Sequence, residues 1–133
     1  MTLEDLVQPL KEVQHTDRSK ECRAVASVLE HIGDKWSVMI IALLGDGPMR
    51  FNELKRVVDG ISQRMLTLTL RGLERDGLIT RTQFPTIPLR VEYELTNLGG
   101  SLLDVVKPLG SWARCHVKEI TEARDKFDKR AST

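Results

Sequence analysis

Phe51-Asn52-Glu53-Leu54-Lys55-Arg56-Val57-Val58-Asp59-Gly60-Ile61-Ser62-Gln63-Arg64-Met65-Leu66 reads as a short amphipathic helix, a turn and the opening of a longer helix. Asn52 can cap the first helix by accepting from its orphan N–H groups, and Phe51, Leu54 and Val58 then fall on roughly one side. Asp59-Gly60 ends that helix, and Ser62 is a good N-cap for the next. The second helix is expected to run to about Asp76, with Gly77 as a left-handed C-terminal residue. At about 100° per residue Leu66, Leu70 and Leu73 share one narrow stripe, while Arg64, Thr67, Leu68, Arg71 and Arg75 spread over the far side. The first set packs. The second is presented, as on a helix held out to the major groove of DNA.

A solvated charged face is the ordinary meaning of such a helix on its own, and the residues that follow change that. Leu78 to Phe84 reads as a strand rich in Thr and Ile, and Arg90 to Leu95 as a second, with Val91, Tyr93 and Leu95 alternating against Arg90, Glu92 and Glu94. Pro85-Thr86-Ile87-Pro88 between them belongs in a loop, because its prolines cannot donate to a ladder. Helix, turn, helix and β-hairpin is the winged-helix order. The expected fold is mainly α with a small β-hairpin wing, a winged helix-turn-helix carrying N- and C-terminal dimerisation helices.

Five stretches carry a family resemblance: Ile32-Gly33-Asp34-Lys35-Trp36, Arg50-Phe51-Asn52-Glu53-Leu54, Gly60-Ile61-Ser62-Gln63-Arg64-Met65-Leu66, Leu73-Glu74-Arg75-Asp76-Gly77-Leu78-Ile79 and Val91-Glu92-Tyr93-Glu94-Leu95-Thr96. In this order and spacing the chain resembles the HxlR-type winged helix-turn-helix transcriptional regulators, relatives of the MarR group, from about Cys22 to Trp112. The resemblance implies a dimeric DNA-binding regulator of a bacterial or archaeal operon. Two residues depart from the pattern. Leu68 sits on the presented face where relatives usually look polar, and Gly72 is a poor helix former in the middle of the reading helix, at a cost of about 1 kcal/mol relative to Ala. Leu68 can touch a thymine methyl, or it can turn into the wing or a dimer contact.

Composition permits this reading. The chain has 133 residues and a 41% hydrophobic fraction, enough for one domain with a real core and against wholesale disorder. Its net charge is only +1. Between Arg50 and Arg90, however, eight basic residues stand against four acidic ones, a local +4. A local basic surface on a near-neutral protein favours a defined docking face over general polyanion binding. The longest apolar run, Val38 to Leu44, is far shorter than the roughly 20 residues of a membrane span, and the first residues do not read as a basic-then-apolar leader. A soluble, cytoplasmic protein without membrane association is expected.

Outside the reading unit the chain reads as helical. Val25, Val28, Leu29 and Ile32 follow helical spacing before Gly33, and Lys35 to Leu44, capped by Asp34, is apolar nearly all round and expected to be buried. Beyond Thr96, Leu98, Leu102, Val105, Leu109 and Trp112 form a stripe wider than one small domain can cover, and an identical helix from a second subunit is the simplest cover. Pro108 is expected to kink that helix. Leu3, Leu6, Val7 and Leu10, interrupted by Pro9, suggest a further dimer element. The expected organisation is an N-terminal helix over 1–20, a winged core over 21–96, a dimerisation helix over 97–127 and a frayed tail over 128–133.

Neither cysteine belongs to a CxxC pair, so a structural disulfide is not expected. Cys22 reads as standing just before the second helix, with Lys20 and Arg23 close by, and a helix N-terminus and nearby cations both favour a reactive thiolate. Some HxlR-type regulators resemble this chain in carrying an N-terminal cysteine here and sense oxidants or electrophiles with it, which makes Cys22 a candidate redox sensor beside the alternative of an inert, half-buried thiol. Cys115 reads as a packing residue of the dimer helix. No metal site and no cofactor are expected, since Cys115 and His116 diverge on a helix and His15 and His31 lack partners at ligand spacing. No catalytic residues are assigned: Gly45-Asp46-Gly47-Pro48 lacks the ending of a phosphate loop, no Ser occupies a nucleophile elbow, and Glu92 and Glu94 read as solvated or paired with wing arginines.

The candidate DNA-binding residues are Ser62, Gln63, Arg64, Thr67, Leu68 and Arg71 on the reading helix, with Arg81 and Arg90 of the wing holding phosphates or reaching into the minor groove. The expected partners are a double-stranded, roughly palindromic operator, a second copy of the chain and an oxidant or small-molecule effector. Repression is favoured over activation. The alternative is a winged-helix protein-docking module without DNA binding, which calls for a surface poor in charge rather than one bearing several arginines.

Overall fold

The computed structural model describes residues 15–132, with side chains from Ser19 onward. The elements run α1 (His15–Ile32), α2 (Lys35–Leu44), β1 (Met49–Arg50), α3 (Phe51–Val57), α4 (Gln63–Arg75), β2 (Ile79–Phe84), β3 (Arg90–Leu95) and α5 (Asn97–Ala131). Leu3, Leu6, Val7 and Leu10, expected to form a dimer element, lie outside the described residues.

The starts of α2, α3 and α4 each have a chemical cause. Asp34 Oδ2 accepts from the Ser37 N–H at 3.4 Å and opens α2, and Ser62 Oγ accepts from the Met65 N–H at 3.0 Å and opens α4. The start of α3 differs from the expectation of an Asn52 cap. Arg50 is its N-cap, and the Glu53 carboxylate reaches back to accept the Arg50 N–H at 3.0 Å, as in a capping box. At the end of α4, Gly77 adopts φ +77°, the Leu78 N–H returns to the Leu73 carbonyl and the Gly77 N–H to the Glu74 carbonyl. That is a Schellman ending, closed by apolar contact between Leu73 and Leu78 in the core.

The sheet is antiparallel, in the order β1-β3-β2. Its register pairs Arg50 with Glu92, Arg81 with Tyr93 and Phe84 with Arg90. Ile79, Arg81, Gln83, Val91, Tyr93 and Leu95 therefore share one face, and Thr80, Thr82, Phe84, Arg90, Glu92 and Glu94 the other. Tyr93 and Ile79 are buried on the inner face. The core joins Ile40, Ile41 and Leu44 of α2 with Leu54 of α3, Leu66, Leu70 and Leu73 of α4, and Leu103 and Val106 of α5. Helix α2 is less enclosed than its composition suggested, since Met39 is 46% exposed.

The terminal helices depart from the expected boundaries. Helix α1 is continuous across residues 20 and 21, with no break where an N-terminal segment was expected to end. The C-terminal helix passes through Pro108 as one element and continues to Ala131, so residues 128–131 of the tail expected to fray are helical. Gly99 lies in its first turn against the wing's base, where a Cβ would run into the Leu78 carbonyl oxygen. Among the described residues, those packing on α5 cover its N-terminal part: Leu103 and Val106 are buried, whereas Leu98, Val105, Leu109 and Trp112 are each more than half exposed.

Candidate nucleic-acid interface

The reading helix α4 is divided sharply into two faces. Leu66, Leu70 and Leu73 are 0%, 1% and 2% exposed, and burying three leucines supplies about 1.5–3 kcal/mol each toward holding the helix in place. On the far side Arg64, Thr67, Leu68 and Arg71 are exposed, as the spacing predicts. Thr67 Oγ1 donates to the Gln63 carbonyl at 2.9 Å, and the residue is exposed. Among the described residues neither Arg64 nor Arg71 has an ion-pair partner, so both guanidinium groups are available to an external acceptor.

A trough separates α4 from the wing, lined by Gln63, Thr67, Arg71, Glu74 and Arg81 over a floor of Phe51, Leu70, Val91 and Tyr93. Arg81 stands on the inner sheet face, beside α4. The Gln83 carboxamide oxygen accepts from both terminal nitrogens of Arg81, at 2.9 and 3.0 Å, in the amide orientation that satisfies both groups. Gln83 was missed in the sequence, although its place two residues after Arg81 on an alternating strand puts it on the same face.

Arg90 occupies a different position from the one expected. It stands on the outer sheet face, opposite Arg81, with its guanidinium stacked 4.1 Å over the Phe84 ring and its Nε 3.9 Å from Glu92 Oε1. The trough brings Gln63, Thr67, Arg71 and Arg81 together, Ser62, Arg64 and Leu68 are exposed on the same helix outside it, and Arg90 is on the other face of the sheet. Leu68 is half exposed and does not turn into the wing; it borders a hollow shared with Glu30, His31, Asp34 and Gly72 on the α1 side.

Two long-range hydrogen bonds fix the far end of α4. His31 Nδ1 of α1 lies 3.0 Å from Asp76 Oδ2. Thr96 Oγ1 donates to the Gly77 carbonyl at 2.6 Å and accepts from the Gly99 N–H at 3.1 Å, so one hydroxyl joins the end of α4 to the start of α5. Cys22 is exposed but lies inside α1 rather than before a helix, which removes the helix-end contribution expected to activate its thiol. Cys115 is exposed in the single chain, on the α5 helix expected to pack against a second copy. Among the described residues no three His, Cys, Asp or Glu side chains are grouped to hold a metal ion, and no helix is long and apolar enough to cross a membrane.

The family model described as HxlR-like helix-turn-helix matches residues 31–121, more than half of the chain. The chain belongs to the HxlR-like family. This HxlR-like protein is 38% identical over 98 residues to the HTH-type transcriptional regulator YtfH of Escherichia coli, covering 74% of this chain and 78% of that protein. The solved structure of the transcriptional regulator ytfH from Salmonella typhimurium superposes with a TM-score of 0.71 at 37% identity, over 76% of this chain and 90% of that one. The redox regulator HypR in its oxidised form gives a TM-score of 0.66 at 40% identity, over 69% and 95%. The HxlR-like protein is thus a transcriptional regulator with a DNA-binding winged helix-turn-helix domain. The family match begins at His31, so Cys22 and most of α1 lie outside it.

Proposed function

We infer that this chain acts as a sequence-specific repressor, binding a roughly palindromic operator as a homodimer in the cytoplasm. The observation that carries this reading is the outer face of α4, where Arg64, Thr67 and Arg71 stand exposed above a buried leucine stripe, the last two beside Arg81. Helix α3 lies across the backbone, the N-terminus of α4 at Ser62 and Gln63 favours phosphate, and Arg64 and Arg71 reach base edges in the major groove. Arg81, steadied by Gln83, holds phosphate at the wing. Occupancy of a promoter excludes polymerase, which favours repression.

The homodimer reading is supported by the uncovered apolar residues of α1 and α5, Val28, Leu29, Val105, Leu109 and Trp112, each more than half exposed. Two-fold symmetry then spaces the half-sites by about 34 Å or a multiple of it. Thiol control through Cys22 is supported by its exposure and by the likeness to a protein described as a redox regulator.

Selection of bound duplexes from a random pool at moderate salt, before and after oxidant treatment, tests the reading. Enrichment of a dyad-symmetric motif is expected. Recovery of unselected sequence would remove the sequence specificity, and recovery of none the DNA-binding assignment.

A further inference from the structure

The wing ends in an apolar point. Ile87, at the apex of the hairpin, is fully exposed, and Leu89 beside it is 61% exposed. The loop that carries them is held by two hydrogen bonds: the Thr86 N–H donates to the Phe84 carbonyl at 2.8 Å, and Thr86 Oγ1 donates to the Pro88 carbonyl at 2.9 Å. Pro85 and Pro88 stiffen it further by fixing φ. A β-branched side chain on such a turn is presented to solvent with little conformational freedom left to lose on binding.

We propose that Ile87 is an apolar wedge that enters the minor groove next to the major groove occupied by α4, parts a base step there and bends the operator. The inference rests on the DNA-binding reading above and adds a residue and a deformation to it. Position selects DNA as the occupant. The hairpin that carries the point flanks α4 across the trough lined by Thr67, Arg71 and Arg81, so a duplex held on α4 runs alongside the wing. Reach agrees as well. Strand β2 advances about 10 Å from Arg81, beside α4, to Phe84 at about 3.3 Å per residue, and the tip continues beyond it. Half a duplex turn, the step from a major groove to the next minor groove, is about 17 Å. Isoleucine, leucine and proline are among the residues that unstack base steps when inserted from the minor groove, and pyrimidine–purine steps yield most readily. Operators are therefore expected to carry a TA or CA step about half a turn from the positions read by Arg64.

The test uses the full chain and a duplex recovered from the random pool, with bending read by circular permutation of the site and affinity by titration. Wild type bends the site by an angle on the order of 20–90°. Ile87→Ala loses the bend and about tenfold in affinity, while Ile87→Met retains both. A wild type that leaves the duplex straight, an Ile87→Ala that binds and bends like wild type, or an Ile87→Met that does no better than Ile87→Ala overturns the wedge and leaves DNA recognition by α4 standing. Failure of wild type to recover any duplex overturns recognition itself, and the wedge with it.

Discussion

The Thr96 hydroxyl donates to the Gly77 carbonyl at 2.6 Å, joining the residue that ends the reading helix to the residue that starts α5. The same oxygen accepts from the Gly99 N–H, and the Thr96 N–H donates to the Leu78 carbonyl at 3.0 Å. Loss of an N-cap hydroxyl costs about 0.5–2 kcal/mol, and here a second bond goes with it. Thr96→Val should therefore lower stability by about 1–2 kcal/mol, whereas Thr96→Ser should stay close to wild type. Urea denaturation measures both; coincident midpoints for Thr96→Val and wild type would contradict the assignment.

Two helical glycines should respond in opposite directions to alanine. A Cβ at Gly99 meets the Leu78 carbonyl oxygen, so Gly99→Ala must push α5 off the base of the wing, at about 1–3 kcal/mol. A Cβ at Gly72 meets nothing within 4 Å, so Gly72→Ala should stabilise α4 by about 0.5–1 kcal/mol. Thermal melting of the two variants gives the signs directly.

The arginines should separate by role. Arg64→Ala should weaken specific binding by about 1–3 kcal/mol and relax preference at one operator position. Arg81→Ala should weaken all sequences alike and reduce the salt slope by about one unit. Arg90, stacked on Phe84 on the outer sheet face, should change the salt slope less than Arg81 does and cost about 0.5–1 kcal/mol of folding stability instead. Titrations at several salt concentrations on selected and random duplexes distinguish these outcomes; an equal loss on both duplexes for Arg64→Ala would count against base reading.

Leu109 is 57% exposed, so Leu109→Glu should leave the fold of one protomer intact while placing a charge in the proposed dimer seam. Sedimentation should show the variant at monomer mass with a much weakened hold on a two-half-site duplex. An unchanged mass would move the dimer interface elsewhere.

Cys22 is exposed on α1, so oxidant should reach it without unfolding the helix. Diamide is expected to alter operator binding of wild type and leave Cys22→Ser unaffected. Equal insensitivity of both proteins would end the thiol reading.

The reading helix was legible because three leucines at helical spacing, a serine cap and an Asp-Gly ending all report on the same element. The hairpin was legible through the alternation of Val91, Tyr93 and Leu95. What escaped the sequence depends on partners distant along the chain or on signals too short to be periodic. Strand β1 is two residues long, and its pairing with β3 leaves no pattern. Thr96 and Gly77 are separated by 19 residues. Helix α1 extends N-terminal of Cys22, with no glycine or proline between His15 and Cys22 to stop it, so the cysteine does not hold the expected place just before a helix. Arg90 was grouped with Arg81 by charge, although its phase with Glu92 and Glu94 already placed it on the opposite face.

The hydroxyl tie at Gly77, the Schellman turn beside it and the tight seat of Gly99 remove any hinge between α4 and the long helix that follows. In the proposed dimer each recognition element is thus bolted to its own arm, and the angle at which two arms cross dictates the separation of the tips. Such an assembly works as a fixed calliper. It should reject an operator whose halves are moved apart by a few base pairs instead of flexing to accommodate it, and an effector can change that gauge only by turning one arm against the other.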